Sequence, residues 1–257
     1  MNGPPPMETP TLYLEIGQNS LNVLHEASSL GLPLERLENG RLTGPCQERL
    51  VESLQTFLKR PGHQSHLRAL CAVGARGVSL RRLTVPPSSR DELPRLLGLQ
   101  IESAFPLAPD ELAWGFQKLD PGQQSKDTPP GHQGFLVAAV KKENLEEYAN
   151  LLARCGIIPV FTLAALARGY LRPPSNEAFA MLDIGRQQSE WISFDQGLPT
   201  SVRILSWGGE NINQAIQEKL GVSRDEAETL KVRCDREPAS APDLGPMVED
   251  ATRIAVE

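Results

Sequence analysis

Aromatic residues and basic runs are both scarce in this chain, and each scarcity limits what the protein can do. Phenylalanine, tryptophan and tyrosine make up 5% of the 257 residues, so the core must consist mainly of leucine, valine, isoleucine and alanine. The chain has 26 basic and 32 acidic residues, a net charge of −6, and no segment dense in lysine or arginine. Because nucleic-acid affinity comes largely from neutralising phosphates with basic side chains, we expect no nucleic-acid partner.

Long hydrophobic runs are missing as well. The longest strongly apolar stretch without a charge, residues 155–167, has 13 residues and contains Pro159, whereas a membrane-spanning helix needs about 20. The N-terminus reads Met-Asn-Gly-Pro-Pro-Pro, with no basic segment and no apolar segment, so it does not predict a signal peptide. We expect residues 1–10 to form a disordered lead, and we expect no direct membrane span in this chain.

The chain also lacks closely spaced cysteines. Cys46, Cys71, Cys155 and Cys234 are scattered, no Cys-x-x-Cys pair occurs, and the four histidines are not spaced as metal ligands with them. Scattered thiols in a chain of this length are typical of a reducing cytoplasm, where cysteines pack in the core. The sequence therefore predicts no metal site.

Glycine and proline are frequent, with 21 and 22 residues, and they separate short strands from helices. The first part of the chain predicts strands at residues 11–17 and 21–25, a hairpin at residues 34–43, a helix beginning near Pro45 and a buried strand at residues 67–73. This alternation continues through the rest of the chain. A second structural start follows at residue 178, and Ser223 with Glu226 predicts a capped helix near the C-terminus. The fold class is therefore mixed α/β.

Two segments of the chain repeat one pattern, a strand that ends in an acidic residue followed by Ile-Gly and a polar turn. The first segment is Leu-Glu-Ile-Gly-Gln-Asn-Ser-Leu at residues 14–21, and the second begins Leu-Asp-Ile-Gly at residue 182. Their acidic residues, Glu15 and Asp183, are 168 positions apart. Glycine allows a tight turn whose N–H groups can surround a phosphate, and a carboxylate can hold Mg²⁺ through water. Two such loops facing each other would clamp a phosphate between related domains.

This doubled pattern resembles the actin-like ATPase superfamily. Within it, residues 90–116, 135–165 and 180–231 look like three successive segments of the type IV pilus assembly protein PilM family, in the same order and spacing. The cytoplasmic domain of the type II secretion protein GspL shares this architecture and is the nearest rival. The resemblance implies an actin-like, ribonuclease H-like duplicated α/β fold with a small inserted α+β domain.

The resemblance also implies a domain organisation. Residues 11–85 would form the first actin-like domain and residues 86–160 the inserted α+β domain, with a return to the first domain at about residues 161–175. Residues 176–257 would form the second actin-like domain. We expect this second domain to be truncated, because the apolar pattern near its end predicts a helix without a cap.

A candidate nucleotide site follows from the resemblance, and its sequence is altered. The candidate residues are Glu15, Gly17 and Ser20 in the first loop, Asp183, Gly185 and Ser189 in the second loop, and Gly208 and Gly209 farther along. Asn22 stands where the family has a lysine, and Gln187 and Gln188 replace hydroxyl residues. The resemblance suggests ATP with Mg²⁺, whereas these replacements remove phosphate ligands. We therefore expect no catalytic residue and no appreciable ATP hydrolysis.

The resemblance implies a cytoplasmic scaffold at the inner face of the bacterial inner membrane, in a type IV pilus or type II secretion platform. Its partner would be the cytoplasmic tail of a PilN-like or GspM-like membrane protein, held in a groove between the first domain and the insert. The assembly ATPase and self-association are further partners to consider. Two alternatives stay open, a nucleotide-binding ATPase of the same fold and an FtsA-like polymer-forming protein. Trp114 and Phe116 alternate along a predicted strand, so both rings should lie on one face, which favours a core position.

Overall fold

The computed structural model describes residues 12–59, 67–124, 128–173 and 177–236, together with residues 246, 250 and 253. The expected disordered lead at residues 1–10 lies outside the described residues. The chain divides into two compact units, of which the first comprises residues 1–179 and 193–202 and the second comprises residues 180–192 and 203–257.

Strands and helices alternate as the sequence predicts. The strands are β1 (Leu12–Ile16), β2 (Ser20–His25), β3 (Ser28–Pro33), β4 (Leu67–Val73), β5 (Val78–Val85), β6 (Leu112–Lys118), β7 (Gln133–Lys141), β8 (Ile157–Leu163), β9 (Phe179–Ile184), β10 (Ser189–Asp195) and β11 (Leu198–Leu205). The helices are α1 (Gly44–Phe57), α2 (Leu93–Ala104), α3 (Lys142–Ala153), α4 (Ala164–Gly169), α5 (Gly209–Leu220) and α6 (Arg224–Arg236). Among the described residues, no helix is long and apolar enough to cross a bilayer.

The first unit is built on a five-stranded sheet in the order β3-β2-β1-β4-β8. β1 pairs antiparallel with β2 and parallel with β4, which in turn is parallel to β8. Helices α1 and α3 contribute to the core on one face of this sheet, where Leu12, Leu14 and Ile16 of β1 are buried. The Thr43 hydroxyl accepts the Cys46 N–H and caps α1. The parallel strands β1, β4 and β8 therefore end at one edge of the sheet.

A smaller antiparallel sheet, in the order β5-β7-β6, lies between β4 and β8 in the chain. One of its faces packs against α2 and shares a core that includes Val85, Leu97, Ile101 and Phe135. This inserted sheet begins at Val78 and ends at Lys141, whereas the sequence places the insert at residues 86–160. The difference arises because β5 is paired with β7 and β8 with β4. A hydrophobic strand pattern indicates burial but not the neighbour that buries the strand.

The third strand of the large sheet differs from the predicted one. A hairpin is expected at residues 34–43, but this segment forms only an isolated bridge between Arg36 and Leu42. The hairpin partner of β2 is β3, and the chain reverses through Glu26, which adopts a φ of 52°. A glutamate in the left-handed region gives no turn signal in a sequence, because glycine and asparagine are the residues that usually occupy it.

The second unit contains helices α5 and α6 and most of the three-stranded sheet β11-β10-β9. Buried Ile216 of α5 and Ala227 of α6 form a small core between the two helices. The predicted cap of α6 is confirmed, because the Ser223 N–H donates to Glu226 Oε2 at 2.8 Å and the Glu226 N–H donates to the Ser223 hydroxyl at 3.4 Å.

Candidate functional site

The two repeated loops form the same turn. The Gly17 N–H donates to the carbonyl of Ser20 at 2.9 Å, and the Gly185 N–H donates to the carbonyl of Gln188 at 3.1 Å. A Cβ at Gly185 would lie 2.5 Å from that carbonyl oxygen, so no larger residue fits without a shift of the backbone. The glycine is required here by close approach of the backbone and not by a positive φ. The two turns belong to separate units.

In the first loop the carboxylate of Glu15 binds neighbouring side chains. Arg168 of α4 donates to Glu15 Oε1 at 2.8 Å, and Asn22 of β2 donates to Oε2 at 3.3 Å. Asn22 is the residue that stands in the position of the family's lysine. Arg168 neutralises the negative charge of Glu15 that would attract a hydrated Mg²⁺. Both carboxylate oxygens already accept a hydrogen bond.

Arg36 holds the first loop from its carbonyl side, a role that the sequence analysis did not identify. Its guanidinium donates to the carbonyls of Gly17 at 3.2 Å, Gln18 at 2.8 Å and Gly40 at 3.0 Å. It also donates to the hydroxyl of Tyr148 in α3 at 2.6 Å. Burial raises the pKa of Tyr148, so the phenol stays protonated. No sequence pattern marks an arginine that binds backbone carbonyls of a distant turn.

In the second loop, the N-terminal amides of helix α5 are hydrogen-bonded to backbone carbonyls of the same unit. The first amides of α5, those of Gly209 and Glu210, donate to the carbonyls of Gly185 at 2.9 Å and Arg186 at 2.7 Å. Ser189 is fully buried, and its hydroxyl donates to the carbonyl of Trp207 at 2.7 Å. Free amides at a helix start are what binds a phosphate, and here these two are already hydrogen-bonded.

A groove of about 340 Å³ lies in the first unit, between the five-stranded sheet and the inserted sheet. The side nearer the five-stranded sheet is lined by Val73, Leu145, Phe161, Leu163 and Leu166, and the inserted sheet contributes Val78, Leu80, Ala113, Gly115, Leu136 and Ala138. Gln117 and Thr162 add an amide and a hydroxyl to this apolar lining. Val73 and Leu163 end β4 and β8, so the groove opens at the carboxyl edge of the parallel strands, the usual place for a ligand in such sheets.

On the side of β6, the small residues Ala113 and Gly115 line the groove, and the adjacent Trp114 and Phe116 also contribute atoms to its lining. Trp114 packs against the core of the insert, and Phe116 makes an edge contact with Phe135, with ring centroids 5.6 Å apart. The prediction that both rings lie on one face of β6 is confirmed, and Phe116 remains 43% exposed. The intervening Ala113 and Gly115 therefore face the groove. A Cβ on Gly115 would meet no atom within 4 Å.

Comparison with known protein families shows the family of this chain. A family model described as type IV pilus assembly protein PilM matches residues 23–241, most of the chain. The chain belongs to this PilM family. The resemblance stated from the sequence is therefore confirmed.

Among solved structures, the PilM–PilN type IV pilus biogenesis complex contains a similar chain, with 21% identity and a TM-score of 0.67. The similarity covers 96% of this PilM family member and 73% of that chain. It confirms the predicted actin-like α/β fold. The cytoplasmic domain of EpsL, an inner membrane component of the type II secretion system of Vibrio cholerae, is also similar, with 13% identity, coverage of 81% and 73%, and a TM-score of 0.48.

A curated relative is the cell division protein FtsA of Bacillus subtilis, which is 32% identical over 103 residues. This match covers 38% of the PilM family member and 23% of FtsA, so it spans less than a quarter of the relative's length.

The eight candidate residues of the nucleotide site fall into two groups in this PilM family member. Glu15, Gly17 and Ser20 surround the first turn, and the remaining five surround the second. The second group lies close together, because a Cβ on Gly208 would be 2.6 Å from the carbonyl oxygen of Gly185. Among the described residues, no cluster of histidine, cysteine and carboxylate side chains could hold a metal. The assignment of these residues to a nucleotide site stays a prediction.

Glu210 joins the second turn to α6 through an ion pair. Its carboxylate accepts from Arg224 at Nε and at Nη2, the latter at 2.6 Å, and Arg186 lies 3.5 Å away. Hydrogen bonding to Arg224 holds the pKa of Glu210 at about 2, below its ordinary value of 4.5. The pair fixes the start of α5 against the start of α6.

Acid is expected to weaken this attachment. Because the folded pKa of Glu210 is lowered, its contribution to the free energy of unfolding is complete above pH 4.5 and is lost as the pH falls towards about 2. The side chain is 32% exposed, so solvent screening reduces the contribution to about 1 kcal/mol. Urea unfolding at pH 6 and pH 3, read by hydrogen exchange of α5, should show a larger loss in the wild type than in Glu210→Gln. Equal losses would contradict this role.

Proposed function

We propose that this PilM family member is a non-catalytic scaffold at the cytoplasmic face of the bacterial inner membrane, within a type IV pilus or type II secretion assembly platform. We propose further that it binds the cytoplasmic N-terminal tail of a PilN-like membrane protein. The observation that carries this proposal is the apolar groove between the five-stranded sheet and the inserted sheet. It lies where the family resemblance implies a tail-binding groove.

The chemistry of the groove supports an extended peptide as its ligand. Its volume is at the lower end of the range for ligand pockets, which is about 300–1,000 Å³, and few polar groups line it. Leu80, Leu136 and Leu166 pack with Leu119 and Leu198 in a small core under the groove. Apolar side chains of the tail would pack beside this core, on the partly buried Val78, Leu145 and Phe161. The small residues Ala113 and Gly115 leave room for the peptide backbone to approach β6. A few apolar anchors with main-chain hydrogen bonds are a common mode of peptide recognition.

The charge of the chain favours a basic tail. A net charge of −6 would attract lysine or arginine flanking the anchors and raise the association rate more than the affinity. A tail that orders on binding loses part of the contact energy, so we expect a dissociation constant of roughly 1 μM to 10 μM. Such an affinity suits a tail that is already held beside the membrane.

The state of both repeated loops supports the absence of catalysis. Arg168 neutralises Glu15, and the amides of Gly209 and Glu210 are hydrogen-bonded to the second turn. ATP would have to displace these contacts, and the first loop has no lysine that could bind its phosphates instead. We propose that the loops act as rigid joints of the fold.

A peptide titration tests the proposal. A synthetic peptide copying the cytoplasmic N-terminus of the PilN-like protein encoded beside this chain should bind one to one in calorimetry, with and without ATP and Mg²⁺. Replacing its apolar anchors with alanine should weaken binding at least tenfold, whereas replacing its solvent-facing polar residues should change it less than threefold. A phosphate-release assay on the same samples should show no turnover. No binding up to 1 mM peptide, or turnover that Asp183→Ala abolishes, would overturn the proposal.

A further inference from the structure

β6 is an outer strand of the inserted sheet, and the groove runs along it. In the order β5-β7-β6, β6 pairs with β7 alone within the described part of the chain. Its five central residues, 113–117, all line the groove. Because successive side chains of a strand point to opposite faces, lining by every residue in a row means that the groove meets the edge of β6 as well as one face. The main-chain groups at this edge are therefore part of the site.

Two hydrogen bonds that flank β6 show which of its main-chain groups point to this edge. The Lys142 N–H donates to the carbonyl of Glu111 at 2.9 Å. The Leu119 N–H donates to the carbonyl of Gly134 at the same distance of 2.9 Å. The register between these bonds has no bulge, and hydrogen-bonded residues alternate along an antiparallel strand. The odd-numbered residues of β6 therefore bond to β7, whereas the N–H and C=O groups of the even-numbered residues point away from it.

The outward main-chain groups in the groove belong to Trp114 and Phe116. Among the described residues, no hydrogen bond reaches these groups. Between them, a Cβ on Gly115 would meet no atom within 4 Å. Glycine inside a strand that has no bulge is typical of a place where another backbone approaches closely. Residues 112–117 also contain no proline and no charge, the features that usually prevent an edge strand from pairing further.

We propose that the tail of the PilN-like protein binds as a fourth strand of the inserted sheet, antiparallel to β6 and hydrogen-bonded to Trp114 and Phe116. This inference rests on the proposed function and names the binding mode at the same groove. Both existing pairs of the sheet are antiparallel, and antiparallel pairing is slightly more stable per residue than parallel pairing. Main-chain hydrogen bonds provide affinity for an extended segment of about five residues, as in other cases of strand addition.

This pairing determines which side chains of the tail are recognised. Directly opposite residues of an antiparallel pair have their side chains on the same face, so the tail residue opposite Gly115 points into the groove. That pair is not hydrogen-bonded, which brings the side chains closest, and glycine leaves the space to a large apolar anchor. The tail residues opposite Trp114 and Phe116 point to the other face, where Phe116 is 43% exposed. The anchors that enter the groove should therefore occur at every second position of the tail.

A scan of N-methylated tail peptides tests this binding mode. Each peptide carries one N-methyl group, which removes one main-chain N–H and leaves every side chain in place. In calorimetry with the full chain, methylation should weaken binding about tenfold at the positions that pair with Trp114 and Phe116, and by less than about threefold at the position between them. Losses that do not alternate, with the unmodified peptide still bound, would overturn strand addition and leave the tail in the groove. No binding of the unmodified peptide would overturn the proposed function as well.

Hydrogen exchange measures the same pairing on the protein. When the full chain is saturated with the peptide, the amides of Trp114 and Phe116 should exchange about tenfold more slowly. The amide of Gly115 already bonds to β7, so its exchange should change by less than about threefold. If the first two amides exchange as slowly as that of Gly115 before the peptide is added, another segment of the protein pairs with β6. That result would overturn strand addition by the tail.

Phe116→Pro and Phe116→Ala form a matched pair of variants. Both remove the ring, and only proline also removes the outward N–H, which the pairing with β7 does not use. Proline is tolerated on an edge strand where the N–H faces outward. Phe116→Pro should therefore bind the tail about tenfold more weakly than Phe116→Ala, with a similar midpoint of urea unfolding. Equal affinities of the two folded variants would contradict strand addition, and the peptide scan decides if the proline variant does not fold.

Discussion

Gly208→Ala is expected to destabilise the second unit by about 2–3 kcal/mol. A Cβ at this position would lie 2.6 Å from the carbonyl oxygen of Gly185 and 2.9 Å from the carbonyl carbon and oxygen of Arg186. These are backbone atoms, and they accept the hydrogen bonds of the first two amides of α5, so the turn cannot retreat without losing those bonds. Overpacking a rigid contact typically costs about 1–3 kcal/mol. Urea unfolding followed by hydrogen exchange of α5 measures the loss.

Gly209→Ala is the control for this prediction. A Cβ at Gly209 would approach the ammonium nitrogen of Lys231 at 3.2 Å, and the end of a lysine side chain can move at little cost. Alanine is favoured over glycine within a helix by up to about 1 kcal/mol, so this variant should be neutral or slightly more stable. Equal destabilisation by both substitutions would show that close approach of the turn is not the cause.

Ala138→Leu is expected to reduce binding of the PilN-like tail at least 30-fold while leaving the fold intact. Ala138 lies on β7, between Leu80 of β5 and Gly115 of β6, and it lines the groove. A leucine there fills space that the tail's anchor would occupy. Because the side chain enters the groove and not a packed core, the midpoint of urea unfolding should change little. Calorimetry with the tail peptide measures the affinity.

Ala153→Leu provides a matched substitution on the exposed surface of α3. It adds the same atoms far from the groove, and it should leave the tail affinity within twofold of the wild type. If Ala138→Leu binds the peptide as tightly as this control, the tail does not bind in the groove.

The repeated loops show that a local sequence pattern predicts backbone turns but not long-range side-chain contacts. The spacing of 168 positions predicts two equivalent turns, and the turns at Gly17 and Gly185 have the same hydrogen bond. The pattern depends on local backbone geometry, which a few consecutive residues determine. The contacts of Arg36 with Gly17 and Tyr148 depend on residues 19 and 112 positions away, and no local pattern encodes them.

In the sheets, too, the sequence predicts local structure, here the strands, but not the long-range pairing between them. The strand pattern at residues 12–25 predicts β1 and β2, because alternating burial is visible in the sequence. The identity of each strand's neighbour is a long-range property. The predicted insert, residues 86–160, therefore leaves out β5, and its limit at residue 160 falls within β8. The groove arises from that pairing, since β4 and β8 end together beside the inserted sheet. The family resemblance predicts where the groove lies, whereas no sequence pattern marks the residues that line it.

The position of the insert within the chain affects how the large sheet can assemble. β4 and β8 are adjacent in the sheet, yet 84 positions separate the end of β4 at Val73 from the start of β8 at Ile157. Val78 and Val140 are paired across the inserted sheet, so a folded insert brings its two ends together. The loop that must close is then about 22 residues, which lowers the entropic cost of closure by about 1 kcal/mol. During synthesis the insert is complete before β8 emerges, so it can shorten this connection before the last strand of the large sheet arrives.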